Sequence, residues 1–293
     1  MPRGVRTGAG AMMPATPIPY RLRWRPGGAR AGAHPGGGEG GDGVFLRHRP
    51  LWQHPDPRRI DLRETARDPM GQVQVRSFAR RTAVAVVAVV DLSGSMGFAG
   101  RVARMESVAA LCATLAVSAG KMGDRFGLVG CDAGVREDIF IPPTHRRGVE
   151  SDAWARLLGA MPQGSSAQGL LEMADRLPAR RSLVVLISDF LLPLDLVASV
   201  FDRLWRHDVL PVLLRDGGEE ADLPGWGLVA LRDLETGRRR LAVMRPGLRA
   251  AWHQAALAHR AALDHLFRRH GRAPFILTDG FDPDALAEHL AAG

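Results

Sequence analysis

Residues 83–96 read Ala-Val-Ala-Val-Val-Ala-Val-Val-Asp-Leu-Ser-Gly-Ser-Met (AVAVVAVVDLSGSM). An apolar run this short falls far below the roughly 20 residues that cross a membrane as a helix. It fits a strand buried on both faces, the kind found in parallel sheets covered by helices on either side. The run stops at an acid, and oxygen-bearing side chains follow at every second position: Asp91, Ser93 and Ser95. In an extended segment alternate residues point to one side, so three oxygens aim at one place beyond the carboxyl end of the strand. Gly94 lets the backbone bend around that place.

Outward from this stretch, strand and helix patterns alternate over residues 82–293. Thr82–Val90 reads as the central strand, and Arg101–Ala119 as a helix with apolar positions at helical spacing and Gly120 as its C-cap. Phe126–Cys131 is a strand with Val135–Ile141 as its antiparallel neighbour. Trp154–Met161 and Ala167–Leu177 are helical. Leu183–Ser188 (LVVLIS) is a second buried strand that also runs into an acid, Asp189. Leu194–Trp205 is a helix, Val209–Leu214 a strand, Leu248–Arg269 a long helix, Phe275–Leu277 a short strand and Pro283–Ala291 the closing helix. A hairpin is inserted at about 226–245, turning at Glu235-Thr236-Gly237. The expected fold class is α/β and Rossmann-like, a mostly parallel central sheet with helices on both faces.

The front of the chain has a different texture. Residues 1–81 hold 15 arginines against 6 acids, whereas the remainder has 24 basic and 25 acidic residues, so the whole net charge of +8 arises at the front. Lys121 is the only lysine. Without interleaved aromatics or a recognition motif, the basic segment argues for an acidic protein partner rather than nucleic acid. Residues 1–17 carry no periodicity and are expected to be disordered, with Met12 or Met13 as alternative starts. Residues 18–81 read as a basic β-rich segment: Tyr20–Arg25 alternates apolar and charged with period two, and the glycine-rich residues 36–43 read as a flexible loop. No apolar block follows the N-terminal arginines and no membrane span is present, which gives a cytoplasmic reading without membrane insertion. Cys112 and Cys131 fall within a helix and a strand and read as buried free thiols.

Asp91, Ser93 and Ser95 are hard oxygen ligands of the kind Mg²⁺ accepts, with water completing an octahedron; zinc prefers sulfur and imidazole. Asp189, delivered by a second strand to the same edge of the sheet, can join directly or through water, and Ser165 or Ser166 can supply a hydroxyl from a third loop. Capping of the next helix by Asp91 and Ser95 is the simpler alternative.

Asp-x-Ser-x-Ser after a buried strand resembles the metal-ion-dependent adhesion site of von Willebrand factor A domains. That family completes its site with a threonine from a second loop, where Ser165 stands here, and an aspartate from a third, matched by Asp189. More narrowly, the chain is similar to the von Willebrand A-like family called domain of unknown function 58, associated with MoxR-type AAA+ ATPases. The family's upstream motif, Arg-x-Tyr-x-Pro-Gly-Asp-Asp-x-Arg-x-Ile-Asp-Trp, is kept at Arg49, Asp56, Arg58, Ile60 and Asp61. It is lost at Leu51, Gln53, His54, Pro55 and Leu62. The resemblance implies a non-enzymatic adaptor whose cation, Mg²⁺ or another divalent ion, takes its last ligand from an acidic residue of a protein partner. The implied partner is a MoxR-type ATPase, with the pair acting as a chaperone-like device in maturation or cofactor insertion of client proteins. One branch is tied to methanol oxidation, with methanol dehydrogenase as client.

The rival is a serine hydrolase. Ser-Gly-Ser-Met-Gly, residues 93–97, resembles a nucleophile elbow lacking its first glycine, with Ser95 as nucleophile and Asp189 with His270 or His289 to complete a triad. That reading leaves Asp91 and Ser93 without a role. No Walker-type nucleotide site exists. His253, His259, His265 and His270 are spaced six, six and five apart, which scatters them around one helix as solvated or capping residues. Trp205, Trp226 and Trp252 read as core or edge anchors, and Asp124 and Asp132 as turn acids, with approach of Asp132 to the cation from a neighbouring loop as the alternative.

Overall fold

The all-apolar stretch forms β4 (Ala85–Asp91), and every one of its residues is buried. The computed structural model describes residues 15–27, 32–40, 44–98, 103–162, 167–216, 226–232 and 239–292, without the side chains of 37–38 and 228–242. The chain divides into two compact units: residues 21–84 with 122–124, and residues 1–20, 85–121 and 125–293.

The first unit is a three-stranded antiparallel sheet of β1 (His34–Glu39), β2 (Phe45–Pro50) and β3 (Gln74–Thr82) in the order β1-β3-β2, with a short helix α1 (Leu62–Arg67). Here two sequence expectations fail. Part of the supposed glycine loop is β1 itself, and Gly36 is required by proximity: a Cβ there would lie 2.5 Å from Thr82 Oγ1 and 2.6 Å from the Arg80 carbonyl oxygen. Conversely, Tyr20–Arg25 alternates in exposure as its pattern demands but forms no strand. Pro17, Pro19 and Pro26 flank it, and proline cannot donate to a ladder. Of the retained motif residues, Asp56 and Asp61 cap the 3₁₀ helix Pro57–Arg59 and α1, and Asp61 also accepts from Arg76 at 2.8 Å.

The second expected boundary also moves. Thr82 closes β3 rather than opening the central strand, and the Val84 N–H donates at 2.8 Å to the Asp124 carboxylate instead of to a ladder. Asp124, expected to be a turn acid, is a buried acceptor that also pairs with His34 Nε2 at 2.7 Å.

The second unit is a six-stranded sheet. It comprises β4, β5 (Arg125–Cys131), β6 (Val135–Thr144), β7 (Leu183–Ser188), β8 (Asp208–Arg215) and β11 (Phe275–Thr278), in the order β11-β8-β7-β4-β5-β6. Only β6 is antiparallel to its neighbour. The hairpin strands β9 (Gly227–Arg232) and β10 (Arg239–Met244) pair antiparallel, and their turn lies outside the described residues. On one face Ala85, Val87 and Val89 pack with Leu170 and Met173, with Val197 and Phe201 of α5 (Leu194–Arg203), and with Leu263 and Phe267 of α6 (Pro246–Arg269). Val86, Ala88 and Val90 are equally buried on the opposite face, and α2 (Arg104–Met122) adds buried Val108, Leu111 and Leu115. Among the described residues the further α-helices are α3 (Val149–Gly159), a single turn α4 (Gly169–Glu172) and α7 (Pro283–Ala292).

Helix α2 passes through Gly120 and stops before Gly123, whose φ of +72° is the left-handed conformation of a terminating glycine. Residues 167–177, expected as one helix, form the single turn α4 and a 3₁₀ turn, Met173–Arg176. Both cysteines are buried free thiols, and burial pushes their pKa up. Trp205 and Trp226 are 75% and 70% exposed, so neither is a core anchor. Expectations for residues 1–14 lie outside the described residues, and among those described no helix is long and apolar enough to cross a membrane.

Candidate metal centre

The parallel strands deliver acids to one edge. Asp91 ends β4, and Asp132, Asp189, Asp216 and Asp279 directly follow β5, β7, β8 and β11. The register Val90↔Ile187 sets Asp91 beside Ser188. The Ser188 hydroxyl donates to Asp91 Oδ2 at 2.7 Å and accepts from the Phe190 N–H at 2.9 Å, while the Ser93 N–H donates to Asp91 Oδ1 at 2.9 Å.

Asp91 is wholly buried, and among the described residues no cationic side chain pairs with it. Burial, reinforced by the charge of Asp189 and opposed by the Ser188 and Ser93 hydrogen bonds, pushes its pKa from 3.8 up to about 6. The Ser93 and Ser95 hydroxyls lie 3.3 Å apart, both side chains buried. Ser95 lies within a short 3₁₀ segment, Gly94–Gly97, whose N-cap Ser93 makes no side-chain capping bond, and α2 begins only at Arg104, so these hydroxyls do not cap the next helix.

Asp189 is buried as well, and its environment was not legible locally. Arg104, the first residue of α2, donates from Nη1 to Asp189 Oδ2 at 2.9 Å and to the Ser95 carbonyl at 2.8 Å, with Phe98 5.1 Å from the guanidinium. Phe190 follows with φ of 51°, a strained conformation for a bulky residue that turns the chain sharply after Asp189. It is held by ring contacts to Phe267 at 5.0 Å and by His259 Nε2, 2.9 Å from its carbonyl oxygen. Sequence reasoning thus missed three participants. Ser188 was signalled by two parallel strands both ending in acids; Arg104 and His259 carried no local signal.

A hard cation fits this set in one respect and is contested in another. Asp91 is a buried carboxylate without a counter-cation among the described residues, flanked by the Ser93 and Ser95 hydroxyls, whereas the carboxylate of Asp189 is already paired with Arg104. Ser165 and Ser166 lie outside the described residues. Among the described residues no three His, Cys, Asp or Glu side chains form a metal-binding group. Asp132 is a turn acid, bonded to the Gly134 N–H and to Arg136 at 3.2 Å each. The histidines named for a triad are elsewhere: His270 follows the end of α6, and His289 lies 3.2 Å from the Ala273 carbonyl oxygen, against the chain entering β11.

The profile of a family described as "Protein of unknown function DUF58" matches residues 49–262. A Paracoccus denitrificans protein named "Uncharacterized protein in moxR 3'region" is 44% identical over 102 residues, 35% of this chain and 97% of that one. A Mycobacterium tuberculosis protein, "Uncharacterized protein Rv1480", is 30% identical over 240 residues, 80% of this chain and 73% of the relative. Among solved structures, BatB from Bacteroides thetaiotaomicron has a TM-score of 0.43 at 13% identity, covering 72% of this chain and 98% of that one. The SpRpn10 VWA domain has a TM-score of 0.41 at 13% identity, covering 72% and 96%.

Proposed function

The chain belongs to the DUF58 family, and from that premise we propose that it is a non-enzymatic adaptor that captures an acidic group of a MoxR-type AAA+ ATPase through a divalent cation held by Asp91, Ser93 and Ser95. The observation that carries this reading is the buried Asp91 carboxylate, charged at neutral pH, without a cationic partner among the described residues, beside two buried hydroxyls. Such a group is costly to keep ionised unless a cation is supplied. The choice of ATPase is supported by the relative whose name places it in a moxR 3′ region.

The chain's own residues have distinct tasks in this reading. Asp91 contributes charge, and Ser188 and the Ser93 N–H fix its orientation by occupying one lone pair on each oxygen. Ser93 and Ser95 contribute neutral oxygens, which leave a bound Mg²⁺ electrophilic enough to accept a further carboxylate. In this reading Ser165 or Ser166 would supply a third hydroxyl, and the arginine-rich front of the chain attracts an acidic partner. Maturation of a client by the pair, methanol dehydrogenase among the candidates, extends the family resemblance.

The test is capture of the purified ATPase by the full chain in Mg²⁺ and in EDTA. Binding is expected in Mg²⁺, with loss both in EDTA and for Asp91→Ala or Ser93→Ala. Equal binding with and without EDTA would remove the cation from the mechanism.

A further inference from the structure

Asp91 and Asp189 are handled differently by the fold. Among the described residues Asp91 receives hydroxyl and amide donors, whereas Asp189 has a resident cation. Arg104 is 4% exposed at its side chain, Asp189 2%, and one nitrogen of the guanidinium bridges the Asp189 carboxylate and the Ser95 carbonyl. A buried ion pair of this kind is strongly disrupted by removing one partner, because the other charge is left uncompensated. The bridge also places a positive charge against the loop that carries Ser93 and Ser95, and like charges in a poorly solvated site repel. With Arg104 bonded to Oδ2, the charge of Asp189 is already largely neutralised, so it attracts a second cation less strongly.

Resting on the divalent-cation reading above, we propose that Arg104 is a tethered counter-cation that competes with the divalent ion for Asp189, so that ion binding and release of Arg104 from Asp189 are linked. The ion-poor protein is then held together at this edge by its own side chain. Cation affinity is set by how strongly α2 keeps its first residue in place. Because linkage is reciprocal, whatever draws Arg104 off Asp189 raises affinity for the ion, and the ion in turn frees Arg104.

The experiment uses the full chain, with Mn²⁺ binding followed by electron paramagnetic resonance and thermal melts recorded in EDTA and in saturating MgCl₂. Arg104→Met is expected to melt about 6–20 °C below the wild type in EDTA, the consequence of an unpaired buried Asp189. It should recover most of that loss in Mg²⁺ and bind Mn²⁺ at least about tenfold more tightly. Arg104→Lys, which keeps a charge but loses the guanidinium fork, should lie between the two and serves if Arg104→Met does not fold. Arg104→Met combined with Asp189→Asn should show neither the melting loss nor the gain in affinity. Equal Mn²⁺ affinity in wild type and both Arg104 variants overturns the competition while leaving the cation reading intact. Failure of all of them to bind Mn²⁺ overturns both.

Discussion

Asp91 is the residue on which the site turns, and its titration makes a sharp expectation. Its folded pKa is raised from 3.8 to about 6, so the fold prefers the protonated acid. The sign follows: the group favours folding fully below pH 4, and that contribution is lost as pH rises through 6. At neutral pH without divalent ion, the deficit is on the order of 3 kcal/mol. Asp91→Asn should therefore stabilise the protein in EDTA by up to about 3 kcal/mol at pH 7 and by almost nothing near pH 4. Urea denaturation across that pH range reads the difference, and a pH-independent effect would mean that Asp91 is not desolvated as described. At this scale the spacing Asp91, Ser93, Ser95 was legible because it depends only on the period of an extended chain. The partner of Asp189 was not, because Arg104 lies 85 residues away in sequence.

Among the elements, helices and strands with a strong period were read with correct type, and errors gathered where glycine or proline acted through neighbours. Gly120 looked like the end of α2 but sits exposed inside the helix with nothing within 4 Å of an added Cβ, while Gly123 takes the left-handed φ. The two glycines should respond oppositely to alanine. Gly120→Ala should stabilise by about 0.5–1 kcal/mol through helix propensity. Gly123→Ala should destabilise by about 1–2 kcal/mol because a Cβ is disfavoured there. Chemical denaturation of the two variants separates them, and effects of the same sign would place the terminus wrongly. The glycine-rich β1 was unreadable for a related reason: Gly36 serves close approach to β3, and that need is visible only once β3 lies alongside.

For the molecule as a whole, topology bears on the proposed choice of binding over hydrolysis at Ser95. The strand order β11-β8-β7-β4 puts β11 three strand spacings from β4, roughly 14 Å to the side. His289 sits against Ala273 at the entering end of β11, and His270 follows α6 just before it. Neither histidine reaches a serine beyond the carboxyl end of β4. A fluorophosphonate probe should leave Ser95 unlabelled with or without Mg²⁺, read by intact-mass spectrometry, and stoichiometric labelling at Ser95 would favour the hydrolase. The charge asymmetry, by contrast, was legible from composition alone, since the first 81 residues carry all the excess positive charge.

The sequence by itself determined the alternation of strands and helices in the second unit, the burial of β4 on both faces, and the cluster of acid and hydroxyls at its end. All of these follow from periods of two and 3.6 residues within single segments. Only the tertiary structure decided which groups those side chains meet. The Ser188 hydroxyl reaches Asp91 across 97 residues, and Arg104 neutralises Asp189 while Asp91 stays without a counter-cation among the described residues. The physical reason is that such pairings depend on strand register and on where a helix begins relative to a sheet edge, and neither is encoded in the period of any one segment.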